Sequence, residues 1–221
     1  MSASLAERLR NETRDLHTVV ERSILMRALL RGELSLAAYC MLLRNLHPIY
    51  LALEAALVRH AADAALAPVS VPALFRSDAL AQDLQRLYGD SWAQTIGLEP
   101  ATPLYVARLR QLEEANPALL VAHAYVRYLG DLSGGQLLKR IVAKNLQLPS
   151  GTGTAFYDFG DADRTQALTR AFRAGLDNIP ADEARIGAIV AEAKRAFALH
   201  RTLFQQLALA GGLAEASTGF A

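Results

Sequence analysis

Apolar residues along this chain recur at steps of three and four, so it reads as helix after helix. Ser4 stands three residues before Glu7 in capping-box spacing and opens a first amphipathic segment that runs to about Ser23. A short second segment reaches Leu30, and Gly32 stops it. Ser35 is placed as the cap of a long apolar helix to about Ala65, with Pro48 expected to kink it. Pro68 to Pro72 is a connector, and Ser77 is expected to cap a helix that ends near Gly89. A shorter piece holds Trp92. Thr102-Pro103 and Asn116-Pro117 each put a proline into the first turn of a new helix, the second of which runs to about Leu146. LPSGTGT reads as a loop, and AFYDF is an aromatic stretch without a clear period. Asp163 to Asn178 and Ala181 to Leu209 form the last two helices. No run alternates with period two for long enough to build a sheet, and there is no internal repeat. The reading is one all-α domain over residues 1–209, with residues 210–221 as a flexible C-terminal tail.

The helix that ends near Leu146 carries an anomaly. Leu119, Leu120, Ala122, His123 and Val126 set its period, and Leu137, Leu138, Ile141 and Val142 resume it. Between them stand Gly130, Gly134 and Gly135. Each glycine costs a helix interior about 1 kcal/mol against alanine, so something must offset the penalty. Gly130 and Gly134 lie four apart, on one face. Two readings stay open: a close helix crossing through small residues, or a bare backbone strip against which a broad, rigid ligand lies flat. Asp131 follows Gly130 and points about 100° away from that strip. It also stands four residues after Arg127, the spacing of an ion pair along a helix.

Composition narrows the classes. Of 221 residues, 52% are hydrophobic, enough for a sizeable core, and the formal net charge of +1 argues against a nucleic-acid partner. The single cysteine, Cys40, excludes an internal disulfide and any multi-cysteine metal site. Charged residues at Glu7, Arg8 and Arg10 precede any apolar stretch, and no window reads as a membrane span. The expectation is a cytoplasmic protein without a membrane anchor.

Among the five histidines, His17 differs in its surroundings. It shares a helix face with Thr13, Val20 and Ile24, and Arg10 and Arg14 lie seven and three residues before it. That pattern fits either a solvated basic helix end or a ligand for a porphyrin whose carboxylates meet the two arginines. His123 is expected to be structural, His47 to serve the kink at Pro48, and His60 and His200 to lie at the surface. No histidine has Asp or Glu three residues before it, so the Glu-x-x-His element of di-iron bundles is absent.

RYLGDLSGGQ, Arg127 to Gln136, resembles the distal-helix signature of heme oxygenases, and the flanking HAYVRY and QLLKRI fit as well. LRNETRDLHT, Leu9 to Thr18, is similar to the family's proximal-histidine segment. HPIYLALE and EAKRAFALHRTLF match in register, so the resemblance spans about Leu5 to Gln206. It implies that heme b, substrate and cofactor at once, lies between a proximal N-terminal helix and a glycine-kinked distal helix. His17 is then the axial iron ligand, with Glu21 close to its other ring nitrogen. Arg10, Arg14, Tyr125 and Arg173 fall where the family holds the propionates. Lysine is common at the first two positions and at Thr169, where Arg170 is the candidate substitute. The resemblance gives Gly130 and Gly134 the role of crowding the oxygen, and Asp131, with Arg127, that of ordering the water that supplies protons. Products would be biliverdin, carbon monoxide and ferrous iron, with attack at the α-meso carbon. O2 and an external electron donor are the implied partners, and Lys139, Arg140 and Lys144 are a candidate dock for the donor. Two rivals stay open: a heme-binding module without turnover, and a helical interaction protein without cofactor.

Overall fold

A computed structural model describes residues 3–213. Its nine α-helices among the described residues are α1 (Leu5–Glu21), α2 (Ile24–Arg31), α3 (Leu36–Arg59), α4 (Ser77–Tyr88), α5 (Trp92–Thr95), α6 (Ala101–Ala115), α7 (Leu120–Asn145), α8 (Ala162–Asp177) and α9 (Glu183–Ala210). No strand occurs among them, in keeping with the all-α expectation. α9 includes Ala210, which the sequence reading assigns to the tail, and positions 214–221 of that segment lie outside the described residues.

α3 is the central pillar. By length and a mean hydropathy of 1.2 it is apolar enough to cross a membrane, yet Tyr39, Leu43, Leu46, Tyr50, Leu53 and Leu57 bury it inside the bundle. Pro48 is accommodated within the helix, which ends at Arg59, short of the expected Ala65. The cause is the Asp63 side chain, which accepts from the backbone N–H groups of Ala65 (2.8 Å) and Leu66 (3.2 Å) and so favours a turn. Around α3 pack α4, α6 and α7, while α9 lies along both α1 and α7.

Local caps behave as the residue types dictate. Ser4 and Glu7 form a reciprocal capping box, Ser23 and Ser35 cap α2 and α3, and Gly32 closes α2 in the left-handed conformation at φ 69°. Asp161 and Asp182 cap α8 and α9 and move both starts from their expected positions. Other starts depend on distant residues. Ser77 is the first residue of α4 rather than its cap; the Glu54 carboxylate of α3 accepts from the backbone N–H groups of Arg76 and Ser77, the latter at 3.0 Å. Thr102 lies inside α6, which begins at Ala101, and its buried hydroxyl donates to Asn45 Oδ1 of α3 at 2.6 Å. Asn116-Pro117 leads into a 3-10 turn, Pro117–Leu119, and α7 follows at Leu120.

The aromatic stretch folds as a 3-10 turn, Ala155–Tyr157, with Phe156, Tyr157 and Phe159 buried. The Asp83 carboxylate of α4 holds it by accepting from Ala155 N–H (2.9 Å) and Phe156 N–H (2.8 Å). This anchored turn lies behind the middle of α7 and fixes where that helix runs.

Candidate functional site

A cavity of about 500 Å³ opens between α1 and α7, with α8 at its rim and Phe197 of α9 in its wall. From α1 it receives Arg10, Thr13, Arg14 and His17; from α7, Tyr125, Leu129, Gly130 and Ser133; from α8, Arg173. A smaller cavity of about 130 Å³ adjoins it and shares His17, Gly130, Ser133 and Phe197. Its remaining wall is largely apolar, with Met26, Leu29, Leu42, Leu46, Phe156 and Phe204. The composite slot is thus cationic at its mouth and apolar inside.

The glycines of α7 divide their work. A Cβ added at Gly130 would meet nothing within 4 Å, and one at Gly134 would meet only Leu138 Cδ1 of its own helix at 3.7 Å. These two leave bare backbone facing open space, as the same-face spacing predicts. Gly135 faces the other way: a Cβ there would lie 3.1 Å from the Tyr157 carbonyl oxygen, so this glycine admits the anchored turn. The helix remains continuous through all three from Leu120 to Asn145.

His17 lines both cavities from α1. Its Nδ1 lies 3.4 Å from Glu21 Oε2, and its ring meets Phe197 edge-on at 6.2 Å. Its Nε2 has no hydrogen-bond partner among the described residues, so this nitrogen is free to take a metal. No cluster of three or more His, Cys, Asp or Glu there could hold an ion, so an iron bound in the slot would rest on one histidine. Arg10, Arg14 and Arg173 are solvent-exposed at the mouth. The Tyr125 hydroxyl lies 3.2 Å from Thr13 Oγ1. Arg170 is exposed and does not line the cavity, and the Thr169 hydroxyl turns back to Thr165 O at 2.8 Å.

Asp131 sits beside the bare strip with its side chain 9% exposed. Arg127 Nη2 lies 3.6 Å from its Oδ1, the pairing that the four-residue spacing predicts, and the Tyr50 hydroxyl donates to its Oδ2. Burial pushes the carboxyl up from its ordinary value, against the pull of Arg127 and Tyr50. Arg127 is itself buried. It donates through Nε to Tyr50 Oη at 2.9 Å and through Nη1 to His200 Nδ1 at 2.6 Å. Burial works against its charge, but Tyr50 and Asp131 hold the guanidinium above its ordinary value.

His200 corrects the expectation of a surface group. It is 6% exposed and lines the smaller cavity. Its helix face carries Ala193, Ala196 and Phe204 inward, and packing of α9 on α7 takes the imidazole with them. Tyr50 was also missed, because a tyrosine in the middle of an apolar helix has the appearance of core. His47 packs edge-on against Trp92 at 5.1 Å. His123 is structural, as expected: it bonds Tyr105 Oη at 3.2 Å and Glu192 Oε1 at 3.0 Å, and Arg108 forks onto the same carboxylate. His60 is partly exposed near Glu113 at 3.7 Å. Of the candidate donor dock, Lys139 is paired with Asp158 Oδ2 at 2.6 Å, while Arg140 and Lys144 are exposed.

Comparisons with known proteins converge. A family model described as Heme oxygenase matches residues 3–206. Heme oxygenase 2 of Synechocystis sp. is 43% identical over 208 residues, which cover 92% of this chain and 83% of that protein. Heme oxygenase 1 of Nostoc sp. is 39% identical over 207 residues, 94% of this chain and 87% of that protein. The crystal structure of heme oxygenase-2 from Synechocystis sp. in complex with heme and NO superimposes with a TM-score of 0.91 at 40% identity, covering 95% of this chain and 87% of that one.

Proposed function

The chain belongs to the heme oxygenase family, and from that premise we propose which of its residues seat heme and steer its oxidation. The reaction is the oxidative cleavage of heme to biliverdin, carbon monoxide and ferrous iron. Heme is therefore both substrate and cofactor, and it supplies the iron at which O2 is activated.

The residues present fit that group. A flat macrocycle needs one nitrogen ligand, bare walls and cations at one edge; the slot offers His17, the Gly130/Gly134 strip and three arginines at its mouth. The observation that carries the assignment is the position of His17 across the slot from a strip where a methyl group would meet only space. His17 is the iron ligand, and Glu21, 3.4 Å from its Nδ1, orients the ring. Arg10, Arg14, Arg173 and the Tyr125 hydroxyl bind the two propionates. The bare backbone at Gly130 and Gly134 would form the wall that faces the ring on the side away from His17, and would limit the space for oxygen there. Asp131, buried beside the strip and not along it, acts through ordered water; Tyr50 and Arg127 keep its carboxylate in place. Water held in this way would supply protons at the site of oxidation.

The external electron donor docks, in this reading, near the exposed Arg140 and Lys144.

Hemin titrated into the protein and reduced under air should convert to a verdin spectrum and yield one biliverdin isomer. A bound heme that survives this treatment would favour a binding module without turnover. In R173A the same assay should give a mixture of isomers, because one edge of the ring loses a clamp. Hydrogen bonds to charged groups contribute about 1.5–3 kcal/mol. Arg173 is exposed, so heme affinity should fall by only roughly five- to tenfold. A single isomer at unchanged affinity removes Arg173 from the site.

Gly130 provides an independent check on the strip. G130A adds a methyl group that meets nothing in the protein and gains about 1 kcal/mol of helix propensity. The heme-free melting temperature should therefore rise by about 2–4 °C. Heme loading should fall, because the methyl enters the space assigned to the ring. A heme-free variant that melts lower, or loads heme as the wild type does, contradicts the assignment.

A further inference from the structure

His200 lines the smaller cavity, and among the described residues its only charged hydrogen-bond partner is a cation. Arg127 Nη1 donates to its Nδ1 at 2.6 Å and lies 3.2 Å from its Nε2, and the Phe204 ring lies against it with centroids 4.0 Å apart. The groups around it are Arg127 and Asp131 of α7, Tyr50 of α3, His17 and Glu21 of α1, and Tyr157 of the 3-10 turn. α2 contributes only the apolar Met26 and Leu29. Among the described residues no carboxylate is hydrogen-bonded to the ring; Asp131 pairs with the guanidinium and is bonded to Tyr50.

We propose that His200 is a positioning residue for the oxidation site: its neutral ring holds the Arg127 guanidinium against Tyr50 and Asp131, and protonating it releases that hold. The inference rests on the role of Asp131 proposed above. Arg127 can donate to Nδ1 only while that nitrogen carries a lone pair. A proton there replaces the acceptor by a second positive charge, buried and 2.6 Å from the first. The guanidinium must then move, and Tyr50 Oη loses its donor at 2.9 Å while it is itself donating to Asp131. Burial and the neighbouring Arg127 both push His200 well below its ordinary value of 6.5, which keeps it neutral at neutral pH. The resulting device is an acid limb on turnover that belongs to α9 and acts through Arg127 on the carboxylate.

The test begins with heme-free protein, so that one readout does not depend on turnover. In a 15N titration of the histidine rings, His200 should stay neutral below pH 6.5, with Nδ1 unprotonated. In R127L its midpoint should move up by about one unit or more, since a neighbouring cation is gone. With heme and reductant, the wild-type biliverdin yield should fall about tenfold per pH unit below the His200 midpoint. H200N, a neutral acceptor that does not titrate, should remove that limb while keeping the neutral-pH yield within about threefold. H200L, which cannot accept, should lose about tenfold at every pH. An unchanged His200 midpoint in R127L, or an acid limb in H200N identical to the wild type, overturns the proposal. If D131N is impaired while the H200N profile is unchanged, His200 alone fails; a fully active D131N brings down the reading beneath it.

Discussion

Replacing His17 by alanine should abolish the histidine–iron bond and lower turnover by at least about 100-fold, since removing even an outer partner of a metal ligand typically costs about 10–100-fold. The reason is that the chain offers no substitute. Among the described residues no other histidine faces the large cavity, and no cluster of potential ligands exists there. His200 lines the smaller cavity, but Arg127 occupies its Nδ1. Heme should still enter H17A, because the arginines at the mouth, the glycine strip and the apolar interior are untouched. Added imidazole should restore part of the activity by filling the space that the ring vacates beside Phe197. Resonance Raman spectroscopy gives the decisive measurement: an iron–nitrogen stretch in H17A unchanged from the wild type would assign the ligand elsewhere.

Changing Asp131 should separate binding from chemistry. Asp131 touches Tyr50 and Arg127 and has no assigned contact with the ring, so D131A should bind heme within a few-fold of the wild type. Its biliverdin yield should fall by about 100-fold, the scale of losing a positioned proton-transfer group. Without the carboxylate the proposed water would lose its anchor, and cleavage of the oxygen–oxygen bond would compete with attack on the ring. D131N should be nearly as impaired: an amide bonds water but carries no charge, and it leaves Arg127 buried opposite a neutral group. The assay adds hydrogen peroxide to each ferric complex and compares biliverdin with the oxidation of an added phenol. The mutants should shift from the first product to the second. Wild-type biliverdin yield in both would remove Asp131 from the mechanism.

The helical framework was legible because periodicity, caps and prolines act locally. Ser4, Ser23, Gly32 and Ser35 need only their own neighbours, and their structural roles follow from residue type. Boundaries that failed depend on partners far along the chain. The α4 start is held by Glu54, and Thr102 serves Asn45. No local rule sees a carboxylate more than twenty residues away. The site divides in the same manner. His17, Arg10, Arg14, Gly130, Gly134 and Asp131 stand in two short segments and were found there; the Arg127–Asp131 pair follows from helix spacing. Tyr50 and His200 come from α3 and α9; their segments, HPIYLALE and EAKRAFALHRTLF, match the family in register, but local spacing gives neither residue a partner. Only the packing of three helices turns a core tyrosine and an apparently exposed histidine into parts of one chain of hydrogen bonds.

The two faces of the α7 glycines have a mechanical consequence. Gly135 is pressed against the Tyr157 carbonyl, and the ends of the helix are locked by buried apolar residues such as Val121 and Val142. Between these clamps, Gly130 and Gly134 touch almost nothing. The middle of α7 is therefore one-sided: Tyr128, Leu132 and Gly135 brace it against the bundle, while the side toward the slot carries no side chain at Gly130 and Gly134. A wall built in this way sets the width of the slot by backbone alone, so a single added methyl group narrows it without disturbing the packing behind.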